Sequence, residues 1–350
     1  MTTAVPAGRR SSSCAPRLRL QARRRAGLVI LGLSLAAGSV LPAAAEDETT
    51  VTLPLAQDSI ASIANIITVT VGGGNPAPLA FDTGSSGLRI QESMIGPGVR
   101  KTDRRITGQY PDGTVVEGYL AYAVIGFPGG SGPATTDREV PVEVITSVRC
   151  GAFSASCAGV PVGTVGYFGA DYRGQDGLSN PFQALPGNLA SGYVIDVTDS
   201  SNPFVDVGLT RGNAGDFDFQ TIPPGSGATV DGARTWATDA LEACYTLDTM
   251  GPACQPVLFA SGAMGVTFAL PGYDPQYFSD PAGNVTPGNT VQMQIGSVIS
   301  LDLEANGDLR DQDLVVVPRA PTSVAGMPFF QHYAVAFDAR EGRIGFQDGD

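Results

Sequence analysis

Short runs that alternate between apolar and polar residues dominate the chain, for example at residues 51–55 and 140–145. This two-residue period is typical of strands that bury one face. The 45 glycines and 26 prolines interrupt these runs, and long stretches with helical spacing are scarce. The pattern predicts an all-β protein with many turns. We expect short helices only near residues 180–185 and 239–243.

The first 45 residues follow a different pattern. Arginines cluster between residues 9 and 25, an apolar run covers residues 26–40, and three alanines occupy positions 43–45. This order is typical of a cleaved signal peptide, and the apolar run is short for a membrane-spanning helix. A retained N-terminal anchor is the alternative. We predict a signal peptide at residues 1–45, export to the periplasm or the extracellular space, and no stable membrane anchor after cleavage.

Charge limits the classes of partner. The full chain has 21 basic and 34 acidic residues and a net charge of −13. The predicted signal peptide contains seven of the arginines and no acidic residue, so the exported part carries a net charge of about −20. Because such a surface repels polyanions, we expect no nucleic-acid or membrane partner. Acidity also simply favours solubility, and it does not identify a ligand.

Four cysteines remain after the predicted signal peptide: Cys150, Cys157, Cys244 and Cys254. Three pairings are possible. Each pair that is close in sequence brackets a short loop, which predicts Cys150–Cys157 and Cys244–Cys254 disulfides in an oxidising compartment. The spacings lack the Cys-x-x-Cys form of zinc sites, and the only histidine is His332. We predict no metal and no cofactor.

Residues 81–87 read Phe-Asp-Thr-Gly-Ser-Ser-Gly and directly follow an apolar, extended stretch. Glycine lets the backbone approach closely at such a turn, and the hydroxyl and N–H groups can fix the Asp82 carboxylate. Residues 259–265 read Phe-Ala-Ser-Gly-Ala-Met-Gly and repeat the Phe, the hydroxyl residue and both glycines at the same offsets. This self-similarity predicts a duplicated lobe in which Ala260 takes the position of Asp82.

These two loops resemble those of the pepsin-like aspartic peptidase family, in particular its secreted bacterial branch. Residues 106–120 are similar to the family's flap hairpin, with Tyr110 over the cleft. Residues 166–169 and the step at Gly326 are similar to the strands that cross beneath the two loops. The resemblance covers most of the chain, from about residue 51 to 347. It implies the all-β, bilobal acid protease fold, with two related β-barrel-like lobes and a central cleft.

The resemblance also implies an organisation into domains. We predict an N-terminal lobe at residues 46–202 and a C-terminal lobe at residues 203–350, with the boundary in the polar, turn-rich segment 198–203. Because two lobes in one chain complete the cleft, we expect a monomer.

By the same resemblance, Asp82 is the catalytic aspartate and further residues contact the substrate. The implied substrate-binding residues are Thr83, Gly84, Ser85, Tyr110, Ser261, Gly262 and Ala263. The family has aspartate in both loops and uses the two carboxylates as a coupled acid and base. Because Ala260 replaces the second one, we predict a pseudo-peptidase that binds an extended peptide between its lobes.

Other interpretations stay open at this point. Residues 247–251, Leu-Asp-Thr-Met-Gly, are an alternative second loop, and Asp239 or Asp248 could supply a carboxylate from elsewhere, as could a partner protein. Any of these would restore an aspartic endopeptidase active at acidic pH. An inhibitor or a carbohydrate-binding protein on the same fold is a further alternative. A Ser-His-Asp hydrolase is disfavoured because His332 lies in a strand motif.

Overall fold

The computed structural model describes residues 49–57, 65–152, 157–270, 283–305, 313–317 and 321–349. The predicted signal peptide at residues 1–45 lies outside the described residues. Within the described ranges the chain is almost entirely strand and turn, as predicted.

The strands of the first half, in chain order, are β1 (Val51–Pro54), β2 (Ala56–Gln57), β3 (Asn65–Val71), β4 (Ala77–Asp82), β5 (Ser86–Gln91), β6 (Arg100–Gln109), β7 (Thr114–Ala123), β8 (Ile125–Gly126), β9 (Val140–Cys150), β10 (Gly166–Ala170) and β11 (Gly192–Asp196). Those of the second half are β12 (Phe204–Val207), β13 (Asp218–Thr221), β14 (Glu242–Leu247), β15 (Met250–Phe259), β16 (Gly265–Phe268), β17 (Thr290–Ile295), β18 (Ile299–Glu304), β19 (Asp313–Val316), β20 (Ser323–Ala325), β21 (Tyr333–Asp338) and β22 (Arg343–Asp348).

The helices within the described residues are all short. Two α-helical turns, α1 (Arg211–Ala214) and α2 (Met327–Phe330), accompany 3₁₀ turns at Glu92–Met94, Gln175–Gly177, Pro181–Ala184 and Gly187–Ser191. None of these described helices has the length and apolar character needed to cross a bilayer.

The described strands form three sheets. One has the order β2-β3-β4-β10-β5-β9-β7-β6, with β8 beside β3, and it comes from the first half of the chain. A second has the order β18-β17-β14-β15-β20-β16-β19 and comes from the second half. The third, β1-β12-β11-β21-β22-β13, takes strands from both halves. The all-β, bilobal expectation is therefore confirmed.

Alternating burial explains why these segments form strands. In β18 the side chains of Ile299, Leu301 and Leu303 are buried and the residues between them are exposed. Aromatic rings fill the core beneath the loop that bears Asp82: Phe81 stacks on Phe168 with ring centroids 5.7 Å apart. The two loops thus stand on well-packed apolar strands.

The strand that crosses beneath each loop repeats in the two halves. β10 runs parallel to β4, with Gly169 opposite Asp82, and antiparallel to β5. β20 runs parallel to β15, with Ala325 opposite Phe259, and antiparallel to β16. The same three-strand arrangement in both halves supports the predicted duplication.

The helix predictions were half right. Residues Pro181–Ala184 form a 3₁₀ turn, and the Asn180 side chain caps it by accepting the Phe182 N–H over 2.9 Å. The predicted helix at residues 239–243 is wrong. That segment is a turn leading into β14, where Ala243, Tyr245 and Leu247 are buried at the strand period and pair between β15 and β17.

Both predicted disulfides are confirmed. Cys150, the last residue of β9, is bonded to Cys157, and Cys244 is bonded to Cys254 directly opposite it on the β14–β15 hairpin. The segment 198–203 is the turn that joins β11 to β12 inside the sheet shared by both halves. The lobe limits at residues 202 and 203 stay a prediction.

Candidate functional site

The loops after β4 and β15 hold each other through a reciprocal pair of hydroxyl groups. Thr83 Oγ1 donates to the Phe259 carbonyl over 2.8 Å and accepts the Ser261 N–H over 2.9 Å. Ser261 Oγ accepts the Thr83 N–H over 3.2 Å and donates to the Phe81 carbonyl over 3.3 Å. Thr83 and Ser261 are fully buried. The pairing of the two loops expected from the sequence is therefore what the structure shows.

Asp82 and Ala260 lie where these loops meet. Oδ1 of Asp82 accepts the backbone N–H of Gly84 over 2.8 Å and that of Gly262 over 3.1 Å. Oδ2 accepts no hydrogen bond from any described residue, and the side chain is partly open to solvent. Ala260 is only 6% exposed. The junction thus offers one carboxylate oxygen and, on the other side, a methyl group.

The loop glycines are required by how closely the two turns approach. A Cβ on Gly84 would lie 2.5 Å from Cβ of Ala260, and one on Gly262 would lie 2.6 Å from Cγ of Asp82. Neither position accepts a side chain. Each glycine therefore packs against the residue at the opposite loop's key position, which places Ala260 across from Asp82.

Residues 247–251 are not a second loop. Asp248 lies in the turn between β14 and β15, in the left-handed backbone region with φ +50°. β15 runs ten residues from this turn to Phe259, so the turn is about 30 Å from the junction. Asp248 therefore cannot act as the missing carboxylate.

Asp239, the other acid that could replace the missing carboxylate, is paired with a cation. Its carboxylate pairs with Arg173 over 3.3 Å, and the same guanidinium donates to the Gly84 carbonyl over 2.7 Å. Asp239 is therefore linked to the Asp82 loop only through Arg173, and no described contact joins it to Asp82 itself.

Arg173 also pairs with Asp171, which the sequence did not single out. Asp171 is fully buried and accepts hydrogen bonds from Arg173, Thr238 and the Tyr172 N–H, while its own N–H donates to the Ser85 carbonyl over 2.9 Å. Burial raises the pKa of Asp171 despite the Arg173 charge. Through the hydrogen bonds of Arg173 and Asp171 to the carbonyls of Gly84 and Ser85, this network fixes the backbone of the Asp82 loop. A charged residue directly after the buried strand β10 was the signal that could have revealed it.

The segment that resembles the family's flap forms the β6–β7 hairpin. The N–H of Tyr110 donates to the Thr114 carbonyl over 2.9 Å, and that of Gly113 to the Tyr110 carbonyl over 3.0 Å. The Asp112 carboxylate accepts the N–H groups of Thr114 over 2.9 Å and Ala158 over 3.0 Å. Ala158 follows Cys157, so the hairpin turn is tied to the first disulfide loop.

Tyr110 turns inward from this hairpin. Its ring stacks on that of Tyr167 with centroids 4.3 Å apart, and the Arg89 guanidinium lies 5.9 Å from the ring centroid. The Tyr110 hydroxyl is buried and has no hydrogen-bond partner in the structure. Burial raises the pKa of Tyr110, so the phenol stays neutral. Tyr110 thus packs on the inner face of the hairpin, against Tyr167, and is not an aromatic residue on its outer surface.

A buried ion cluster lies beneath the same hairpin. Arg89 is 2% exposed and donates to Glu143 over 2.9 Å, to Asp176 over 2.5 Å and to the Ser86 carbonyl over 3.0 Å. Glu143 is fully buried, and its Oε1 has no partner. Burial raises the pKa of Glu143 to about 7, although Arg89 opposes this rise. Arg89 sits inside an apolar run, and no local pattern in the sequence indicated this cluster.

The remaining predicted residues have simple positions. Ser85 is buried with an unpartnered hydroxyl, and the Ala263 N–H donates to the Ala260 carbonyl over 3.0 Å. The hydroxyl of Ser86 accepts the Gly174 N–H over 3.1 Å. No hydrogen bond joins His332 to either serine in the described structure, so these residues form no Ser-His pair.

Comparison with known proteins supports the fold. No protein-family model and no curated protein matches the chain. Among solved structures, it is similar to the crystal structure of aspartic proteinase from Irpex lacteus, with a TM-score of 0.58 and 11% identity over 86% of this chain and 98% of that chain. At this identity the likeness establishes the bilobal, pepsin-like fold and not an activity.

Proposed function

We propose that the chain is an exported, pepsin-like protein that binds an extended peptide between its lobes without hydrolysing it efficiently. The observation that carries the proposal is the pairing of Asp82 with Ala260 at the junction of the two loops, where a single carboxylate faces a methyl group.

Hydrolysis by this fold needs two acids with different protonation states. One carboxylate takes a proton from the attacking water, and the other donates a proton to the peptide carbonyl. Ala260 has no proton to donate. The Gly262 N–H occupies the place in its loop that the Gly84 N–H has in the first, and it donates to Asp82. The site therefore keeps a proton acceptor, Oδ2 of Asp82, and lacks the carboxylic acid that would donate a proton to the peptide carbonyl.

The same geometry suits binding. An extended peptide can form strand-like main-chain hydrogen bonds under a hairpin. Because Thr83 and Ser261 are buried and hydrogen-bond each other's loops, they act in this proposal by holding the loops, whereas the buried Ser85 contributes its carbonyl as the acceptor of the Asp171 N–H. Contact with the peptide falls to Gly84, Gly262, Ala263, Tyr110 and Asp82. The two disulfides support export to an oxidising compartment, in agreement with a signal peptide at residues 1–45.

The test uses the exported chain and an unfolded substrate. Reduced, carboxymethylated protein is incubated with the chain at pH 3 to 6, and fragments are followed by mass spectrometry. In parallel, peptides from a digest of the same protein are passed over immobilised chain. We expect no cleavage above that of Asp82→Ala, and retention of peptides that Asp82→Ala weakens. Cleavage by the unaltered chain that Asp82→Ala abolishes would overturn the proposal.

A further inference from the structure

The Arg89 cluster carries more acid than base. One guanidinium is shared by the carboxylates of Glu143 and Asp176, so the cluster has one excess negative charge when both acids are ionised. Glu143 is inaccessible, whereas the Asp176 side chain is 38% exposed. Arg89 binds Oδ2 of Asp176, and Oδ1 accepts no hydrogen bond from the described residues. One carboxylate oxygen is thus presented to solvent.

This oxygen is held close to the Asp82 loop. The turn Gln175–Gly177 is attached to Ser86, which lies four residues after Asp82. Gln175 Oε1 accepts the Ser86 N–H over 3.2 Å, and the Gly174 N–H donates to Ser86 Oγ over 3.1 Å. The turn also packs against β6 of the flap hairpin. Asp176 therefore stands between the hairpin and the loop that bears Asp82.

The backbone at Asp176 is itself unusual. Its φ is +55°, in the left-handed region that residues with a side chain seldom adopt, and Gly174 and Gly177 on either side have φ of +71° and +79°. A conformation of this kind persists only when the surroundings enforce it, and it is often found at binding sites. Aspartate adopts this region more readily than most residues, and the hydrogen bonds of the turn to Ser86 hold it there.

We infer that Asp176 forms a subsite for a basic side chain of the bound peptide, beside the residue that lies over Asp82. This inference rests on the proposed peptide-binding function. A lysine or arginine of the ligand would pair with Oδ1 of Asp176 and balance the excess charge of the cluster. Arg104 on β6 lies near Gly177 but forms no ion pair with Asp176, so the oxygen stays available. The net negative charge of the chain also attracts cationic peptides.

The test compares lysine with norleucine, which has the same stem and no charge. Acetylated, amidated octapeptides of alanine, valine and leucine carry one lysine, moved through successive positions, and each has a norleucine counterpart. Affinity for the full exported chain is measured by fluorescence anisotropy at low salt and at pH 8, above the raised pKa of Glu143. At one position we expect lysine to bind about three- to tenfold more tightly than norleucine. This preference should shrink in 0.5 M NaCl.

Variants assign the preference to one carboxylate. Asp176→Asn removes the charge and keeps a residue that tolerates the left-handed backbone, so it should reduce the lysine-to-norleucine ratio to about one. Asp218→Asn, at an exposed position of β13, is the matched control and should leave the ratio unchanged. Equal binding of lysine and norleucine peptides, or a ratio that survives Asp176→Asn, overturns the inference alone. If peptides of neither kind bind, the proposed function fails together with the inference.

Discussion

The backbone N–H of Gly262 donates to Oδ1 of Asp82 across 3.1 Å, although 180 residues separate the two along the chain. The Gly84 N–H reaches the same oxygen over 2.8 Å. Two N–H donors, one from each loop, therefore bind the same carboxylate. The side chain of Ala260 has no oxygen that could accept the Gly262 N–H. This asymmetry at the centre of an otherwise duplicated arrangement is what separates the junction from a two-carboxylate site.

A carboxylic acid at position 260 should enable the site to hydrolyse peptide bonds. In Ala260→Asp, the Gly262 N–H lies two residues after the new carboxylate, as Gly84 does after Asp82, and can stabilise it. We expect cleavage of unfolded protein at acidic pH to rise at least about 10²-fold, the usual contribution of one general acid. The measurement is the initial rate of peptide release, with folding verified by thermal unfolding.

Two controls limit the interpretation of that gain. Ala260→Asn introduces a side chain of the same size without an ionisable proton, and Ala260→Asp combined with Asp82→Ala removes the partner. Neither should cleave. A folded Ala260→Asp protein that stays inactive would show that more than this one carboxylate separates the site from a peptidase.

The hydroxyl of Thr83 should be needed for stability. Thr83→Val keeps the shape of the side chain but leaves the Ser261 N–H and the Phe259 carbonyl buried without a partner. Each unsatisfied group costs about 1–3 kcal/mol, so we expect the two together to lower the free energy of unfolding by about 2–6 kcal/mol. Urea unfolding measures it. Thr83→Ser, which retains the hydroxyl, should lose less than half as much, and equal losses in the two variants would show that the hydrogen bonds of the Thr83 hydroxyl are not the cause.

Arg173 should stabilise the folded protein mainly because it pairs with the buried carboxylate of Asp171. Arg173→Met leaves the Asp171 carboxylate without a cation and removes the donor to the Gly84 carbonyl. Breaking a buried ion pair in this way costs about 3–5 kcal/mol, measured as the free energy of unfolding at pH 7. Arg173→Met combined with Asp171→Asn should recover a large part of the loss, since no charge is then stranded. A double variant no more stable than the single one would contradict this account.

Patterns local in sequence were sufficient for part of this structure. The repeated loop motif predicted that residues 82 and 260 face each other, and short cysteine spacings predicted both disulfides. The Arg89–Glu143–Asp176 cluster was beyond reach, because its members lie on β5, on β9 and in the turn Gln175–Gly177, and each looks locally like an ordinary polar residue. The helix predicted at residues 239–243 failed for a related reason: pairing of β14 with two neighbouring strands outweighed local helix preference.

Glu143 should make the stability of the folded protein depend on pH. Burial raises its pKa from an ordinary 4.5 to about 7 in the folded protein. Between these values the folded state holds a proton that the unfolded chain has released, so the free energy of unfolding falls as pH rises from 4.5 to 7 and is level above that. The rise of the pKa from 4.5 to about 7 corresponds to a loss of about 3 kcal/mol in the free energy of unfolding across this pH range. Glu143→Gln, which never ionises, should remove this slope.

The measurement is urea unfolding of both proteins between pH 4.5 and 8. Because other groups titrate as well, the informative quantity is the difference between the two curves. Relative to the unaltered chain, Glu143→Gln should gain stability steadily up to about pH 7. Glu304→Gln on the exposed face of β18 corrects for loss of one carboxylate elsewhere. Parallel curves for the unaltered chain and Glu143→Gln would mean that Arg89 keeps Glu143 ionised throughout, and that the ion pair outweighs burial beneath the flap.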